Sequence, residues 1–462
     1  MITIVEPKKH IASLWGKQKV TECKHFRLMH YVLRVEYEGK MLLHNVVTGE
    51  LVLLDDEESL ILERLPKIYS PLMKQLVEAH YLVPEDYDEY QQVLKLRRIL
   101  LRLEANHPPD SIVGYTILPT TTCNARCYYC FEQGSVKTTM TEQTANDVVD
   151  FIVEHADERK KVFITWFGGE PTVAENRIDQ ISDGLNQKGI SFISKMITNG
   201  YLLDDAMVHK AKNAWHVFGV QICVDGTENS YNSAKAYVAA RESPYQKVMH
   251  NIGVLLENGI TVGLRMNFDV ENYTEFEDLI EEAKRRFGDS DKLIISAHPV
   301  IGEYRDWNGN LAHGSDAWFS DKLAELSNYA RNQGVCKRLI RLPYLNCEIC
   351  SACNDATITI RPDGGLVRCP EKFENDQVIG TVRTGIVDQE LVDSWKEIAD
   401  FPQCHGCVLF PNCIRLENCS NTTYCHKWKD YLLQCEELVK KYLISFYKND
   451  LKGVLKHGIS GT

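Results

Sequence analysis

The sequence predicts an α/β fold: a parallel sheet clad in helices, with a small N-terminal unit before it and a cysteine-rich region after it. Three observations carry this. Between Ile112 and Val300, β-rich runs alternate with amphipathic helical stretches. Such alternation builds parallel sheets with helices outside. Ahead of it, residues 26–105 place three short β-rich runs before their helices. Behind it the cysteines gather: of 16, one lies in residues 1–110, five in 111–346 and ten in 347–462.

In the N-terminal unit, His30 to Tyr37 and Lys40 to Val46 pair about a Glu38-Gly39 turn. Thr48-Gly49 turns the chain into a third strand, Leu51 to Leu54. Glu57 to Leu65 and Ser70 to Ala79 read as helices, Tyr81 to Val83 as a short extended piece, and Gln91 to Leu103 as a connecting helix. A linker, Asn106-His107-Pro108-Pro109-Asp110, closes the unit at residues 1–105. The central domain, 110–303, has six candidate strands: Tyr115–Pro119, Val162–Trp166, Phe192–Thr198, Phe218–Val224, Thr261–Asn267 and Leu293–Pro299. Its helices are expected over Thr141–Glu154, Arg177–Gln187, Ala206–Ala214, Tyr245–Glu257 and Thr274–Phe287. Residues 304–346 bridge, with a helix over Asp316–Asn332. Residues 347–446 form the cysteine-rich domain, ending in a helix over Cys425–Phe446, and 447–462 read as a tail.

The chain is 44% hydrophobic and 25% charged, with a formal net charge of −12. That balance argues against a general nucleic-acid or anionic-membrane binder. No apolar run reaches the length of a membrane span, and Met1 to Lys9 lacks the apolar core of a signal peptide. The protein is expected to be cytoplasmic. There, clustered cysteines read as metal ligands rather than disulfides.

The most informative stretch is Cys123-Asn124-Ala125-Arg126-Cys127-Tyr128-Tyr129-Cys130, just past the first central strand. Three thiolates at this spacing can hold three irons of a [4Fe–4S] cube and leave the fourth iron open for a ligand. A zinc site or a redox Cys-x-x-Cys is the plainer reading, but zinc wants a fourth ligand and none lies nearby in sequence. Phe167-Gly168-Gly169-Glu170-Pro171 ends the second strand. Its glycines permit close backbone approach, and its carbonyls and carboxylate offer acceptors to an ammonium. Together the two motifs resemble the radical S-adenosylmethionine (SAM) superfamily.

The resemblance implies a partial (β/α)6 TIM-like barrel with chemistry at the C-terminal ends of its strands. It implies that Cys123, Cys127 and Cys130 hold the SAM-binding cluster and that Gly168, Gly169, Glu170 and Pro171 meet the SAM amino group. Asn199 and Asp225 match positions lining the SAM pocket, and Tyr129 is expected to stack near the adenine. Cys223 stands where a serine often meets the ribose, and Lys235 near a carboxylate-binding arginine. These departures shift contacts toward Arg265 and Asn267 on the fifth strand.

Cys347-x5-Cys353, Cys369, Cys404-x2-Cys407-x5-Cys413, Cys419 and Cys425 resemble a SPASM domain with two auxiliary [4Fe–4S] clusters, three clusters in all. The match assigns Cys347, Cys353, Cys369 and Cys419 to the first auxiliary cluster, and Cys404, Cys407, Cys413 and Cys425 to the second. Cys350 is extra within the first set and an alternative ligand there. Cys23, Cys336 and Cys435 read as small apolar residues. The N-terminal unit resembles the PqqD-like winged-helix module that binds the leader of a precursor peptide by strand addition; the plainer reading is a cap on the next domain. Pro370 stands where sulfatase-maturing relatives place a basic Asp after the cysteine.

The resemblance thus implies a radical SAM peptide-modifying oxidoreductase of the sactipeptide or ranthipeptide type. It would join a Cys of the precursor core to a carbon by a thioether, and draw electrons from a reductant such as flavodoxin or ferredoxin. The alternatives are formylglycine formation and carbon–carbon cross-linking.

Overall fold

The computed structural model describes residues 1–18, 25–63, 65, 70–105, 111–156, 161–240, 242–300, 316–336, 341–345, 350–372, 374–413, 416–419 and 428–450. Cys23, Cys347, Cys425 and the tail beyond 450 lie outside these.

The N-terminal unit comprises β1 (Ile2–Val5), α1 (Lys9–Trp15), β2 (Phe26–Leu28), β3 (Val32–Tyr37), β4 (Lys40–Asn45), β5 (Leu51–Leu54), α2 (Asp56–Glu63), α3 (Pro71–Glu78), β6 (Leu82–Pro84) and α4 (Glu89–Ala105). Its main sheet is antiparallel in the order β1-β5-β4-β3. The β3–β4 hairpin turns through Glu38 and Gly39, both with positive φ, the backbone that matches strand twist in a two-residue loop. All four residues of β5 are buried. Val52 and Leu54 face the unit's own helices, while Leu51 and Leu53 face a second cluster containing Val439 and Leu443 of the C-terminal helix. The uninterrupted apolar run of β5 thus reflects burial on both faces. Sequence reasoning missed β1, α1 and β2; they are too short to show a period.

The central domain alternates β7 (Gly114–Thr120), α5 (Glu142–His155), β8 (Val162–Gly168), α6 (Glu175–Gln187), β9 (Phe192–Thr198), α7 (Asp205–Asn213), β10 (Val217–Cys223), α8 (Glu228–Lys235), α9 (Pro244–Glu257), β11 (Thr261–Phe268), α10 (Phe276–Phe287) and β12 (Leu293–Pro299). Neighbouring strands are parallel and in sequence order. Side chains alternate across the sheet. On β11, Val262, Leu264 and Met266 enter the apolar core, leaving Arg265 and Asn267 on the other face. Sequence reasoning missed α8, which is short and polar. α11 (Asp316–Asn332) packs beside β12.

The cysteine-rich region extends this same sheet. β13 (Thr357–Ile360) pairs in parallel with β7, and β14 (Gly365–Val367), β15 (Gly380–Thr381) and β16 (Gly385–Ile386) continue antiparallel. α12 (Gln389–Ser394) and α13 (Trp428–Asp450) follow. The N-terminal unit docks here through α4. Tyr90 stacks on His405 at 4.1 Å between centroids and donates to Asp400. Arg97 lies over Phe410 at 4.5 Å and donates to the Cys413 carbonyl. No helix among the described residues is long and apolar enough to cross a membrane.

Candidate active site

The three-cysteine loop leaves the C-terminal end of β7 and is tied down on two sides. Beneath it, Thr121 accepts at its hydroxyl from the Thr138 N–H at 2.8 Å and donates to the Val136 carbonyl at 2.8 Å. Across the barrel mouth, the Arg126 N–H donates to the Lys235 carbonyl and the Val238 N–H to the Asn124 carbonyl, each at 2.8 Å. Asn199, at the end of β9, donates its side-chain amide to Asn124 at 2.6 Å and stands 3.9 Å from the Cys123 sulfur. The loop is therefore fixed by strand ends on both sides of it.

All three thiols are free. Burial raises their proton affinity: the Cys127 thiol is pushed up to about 12, and Cys123 and Cys130 also rise. Half-buried thiols without disulfides suit metal ligation, which supplies the charge that makes a desolvated thiolate favourable. Among the described residues no three His, Cys, Asp or Glu side chains close around a single metal-ion position. Ligands at the corners of an iron–sulfur cage stand further apart than those of one ion.

The Gly-Gly-Glu-Pro turn lies against this loop. A Cβ on Gly168 would stand 2.3 Å from the Thr120 carbonyl oxygen, and one on Gly169 would stand 2.6 Å from those of Thr121 and Thr122. The glycines are required because two strand exits touch backbone to backbone. Glu170 is held by the protein itself. Its carboxylate is fully buried and accepts from the Thr172 N–H, the Thr172 and Thr198 hydroxyls and the Asn199 N–H at 2.5–3.1 Å. It is a strut joining the ends of β8 and β9. Pro171 is buried in the short turn that follows.

Opposite stands a connected polar network. Asp225 accepts from Lys235 at 2.8 Å, from the Asn267 N–H at 3.0 Å, from the Asn267 amide at 3.1 Å, and from the Tyr129 hydroxyl. Lys235 also donates to the Tyr129 hydroxyl at 2.6 Å. Arg265 donates to Asn267 at 2.8 Å, and Cys223 lies beside Arg265 in register. Burial is the largest influence and opposes the Lys235 charge, but Asp225 together with Tyr129, Cys127 and Cys223 outweighs it and holds the ammonium protonated. Lys235 is thus paired with Asp225 and Tyr129. The Tyr129 hydroxyl is anchored in this network. Tyr128 donates to Asp269. Arg265 keeps its two terminal nitrogens without a hydrogen bond among the described residues, on the face away from the core.

Sequence reasoning missed Glu132. It is 2% exposed, and among the described residues neither oxygen accepts a hydrogen bond. Burial lifts its carboxyl to about 7, opposed by Lys137. Only its position two residues past Cys130 pointed to it.

A second set of thiols forms beyond β13. Cys350, Cys353, Cys369 and Cys419 pack in one small cluster with Ala352, Trp395 and Leu416. Burial pushes Cys353 to about 12 and Cys369 to about 11, and raises Cys350. Cys404 and Cys407 pack against the core that the N-terminal unit contributes. Cys435 is buried in the same core.

Six parallel strands carry three thiols at the exit of the first, and residues 117–283 match the Radical SAM superfamily. The matched region carries the three-cysteine loop and the Gly-Gly-Glu-Pro turn, and the superfamily it matches uses a [4Fe–4S] cluster and SAM. Over 303 residues it is 26% identical to GTP 3′,8-cyclase of Clostridium perfringens, covering 62% of this chain and 90% of that one. It is 19% identical over 268 residues to the radical SAM cyclopropyl synthase TigE of Paramaledivibacter caminithermalis, covering 54% and 52%. The structure of native anSMEcpe with bound AdoMet and Cp18Cys peptide superposes with a TM-score of 0.54 at 14% identity, over 74% of this chain and all of that one. That likeness concerns the fold.

Proposed function

We propose that the protein is a radical SAM peptide maturase that forms a thioether between a cysteine and a carbon of a ribosomally made precursor. The observation that carries this reading is the thiol set Cys350, Cys353, Cys369 and Cys419, joined to the three-cysteine loop through the β7–β13 pairing. A single SAM-binding cluster would leave those clustered thiols unexplained. The bound structure of anSMEcpe with a peptide supports a peptide substrate for this barrel.

A cluster with SAM bound at Cys123, Cys127 and Cys130 supplies a radical able to take hydrogen from an unactivated carbon. The chain's own residues then have separable tasks. Asn199 and the Glu170 strut hold the loop in place. Tyr129, Asp225 and Lys235 close the opposite wall, and Arg265 offers a cationic fork to a carboxylate. Cys350, Cys353, Cys369 and Cys419 hold one auxiliary [4Fe–4S] cluster. Cys404, Cys407 and Cys413 contribute to another, in a SPASM domain over 347–446, with Cys347 and Cys425 as further ligands. The N-terminal unit, a PqqD-like module, receives the leader, and β3 is one of the two edge strands of its sheet. A flavodoxin or ferredoxin supplies electrons. Formylglycine formation is the second reading, from the fold likeness to anSMEcpe. Against it, Pro370 follows Cys369 and the Glu371 side chain is exposed.

The test is anaerobic reconstitution with SAM, reductant and the precursor peptide. The expected product is lighter by two hydrogens per cross-link, with a cysteine that resists alkylation. A product with a free thiol and a carbon–carbon bond, or a Cys127→Ala variant that still cleaves SAM, would overturn the reading.

A further inference from the structure

Arg368 immediately precedes Cys369 and is 2% exposed. Its guanidinium donates to three backbone carbonyls: Ala352 at 2.7 Å, Asn354 at 2.7 Å and Thr357 at 3.0 Å. These are neutral acceptors. Among the described residues Arg368 makes no ion pair. Asp355, whose field reaches it, is bound by Lys396 at 3.0 Å. Its neighbours are thiols: the fields of Cys353 and Cys350 also reach it.

A buried cation without an anion is costly, and proteins pair such charges or coordinate them. Arginine keeps its proton in proteins, so the charge cannot be shed. Carbonyl dipoles take three of the five N–H donors but do not cancel the charge. Thiols in their neutral form do not cancel it either. A group of thiolates bound to iron carries net negative charge and would stand where the guanidinium needs it.

We propose that Arg368 is the built-in counter-cation of an anionic metal–thiolate group held by Cys350, Cys353, Cys369 and Cys419, and that it sets that group's reduction potential. This rests on the auxiliary-cluster reading above. The same arginine orders the carbonyls of residues 352–357, the segment that leads into β13. It therefore couples the charge state of the thiol set to the strand that joins this domain to the barrel. A nearby positive charge stabilises the reduced, more negative state and raises the potential.

The experiment uses full-length protein carrying Cys123→Ala, Cys127→Ala and Cys130→Ala, so that iron bound after anaerobic reconstitution belongs to auxiliary sites. If this background binds no iron–sulfur cluster, the auxiliary reading itself fails. If it does, Arg368→Gln is expected to move one midpoint potential to a more negative value in a spectroscopic redox titration, while Arg368→Lys stays near the background. Unchanged potentials in Arg368→Gln at full iron content would overturn the proposal. Where Arg368→Gln does not assemble a cluster, the melting of the metal-free forms decides. Metal-free Arg368→Gln melting with its metal-free parent supports action through the metal group. A metal-free variant that melts well below its parent marks a backbone tie alone and overturns the proposal.

Discussion

Replacing Lys235 with Met is the most direct probe of the wall facing the cysteine loop. Lys235 and Asp225 stand 2.8 Å apart with side chains 4% and 1% exposed. At an effective dielectric near 20, unit charges at that distance attract by about 6 kcal/mol. The measured penalty should be smaller, because Asp225 keeps its two donors from Asn267. Breaking a buried pair on one side costs about 3–5 kcal/mol, since the remaining charge is stranded. In a barrel domain of this size that corresponds to a fall on the order of 10 °C in Tm. The assay is thermal and urea unfolding of the metal-free protein, with Asp225→Asn and the double variant completing a cycle. The double variant should recover part of the loss, because the neutral amide introduced by Asp225→Asn leaves no charge to strand. A Lys235→Met variant within about 1 kcal/mol of wild type, with no recovery in the double variant, would refute the view that this pair carries the wall.

Three other outcomes are expected. Gly168→Ala places a methyl 2.3 Å from the Thr120 carbonyl at a φ of +110°; the strain costs about 1–3 kcal/mol beyond the forced shift of the loop, and SAM cleavage should fall at least about tenfold in an anaerobic deoxyadenosine assay. Glu170→Gln turns an amide donor toward groups that already donate, costing about 1–3 kcal/mol; unfolding should show this together with weaker SAM binding, whereas weaker binding at unchanged stability would make Glu170 a direct ligand contact. His44 is buried, with its ring nitrogens 3.1 Å from the Glu50 carbonyl and 2.7 Å from the Pro343 carbonyl, and desolvation lowers it to about 4 despite those carbonyls. Because the folded value lies below the unfolded one, the neutral ring's stabilisation is complete above about pH 6.5 and is lost as pH falls toward 4, about 3 kcal/mol in all. Urea midpoints should drop across that window, and less steeply in His44→Gln, while His80, also lowered to about 4 by burial, still titrates there.

The sequence by itself determined the class of chemistry and the order of elements. The spacing of Cys123, Cys127 and Cys130 is local, and so is the Gly168-Gly169 turn; both can be read without knowing what they touch. All six central strands and the Asp316–Asn332 helix were legible because long alternating or 3.6-residue periods record a buried face. Only the tertiary structure decided how polar groups are spent. Glu170 and Lys235 stood out as candidate ligand contacts; the fold gives each partners from elsewhere in the chain, Thr198 and Asn199 for one, Asp225 and Tyr129 for the other. Cys350 appeared as an extra residue until folding packed it with Cys353, Cys369 and Cys419. Arg368 carried no sequence signal at all. Hydrophobic periodicity reports burial averaged over an element, whereas the pairing of a single buried charge depends on which strand ends the fold brings together.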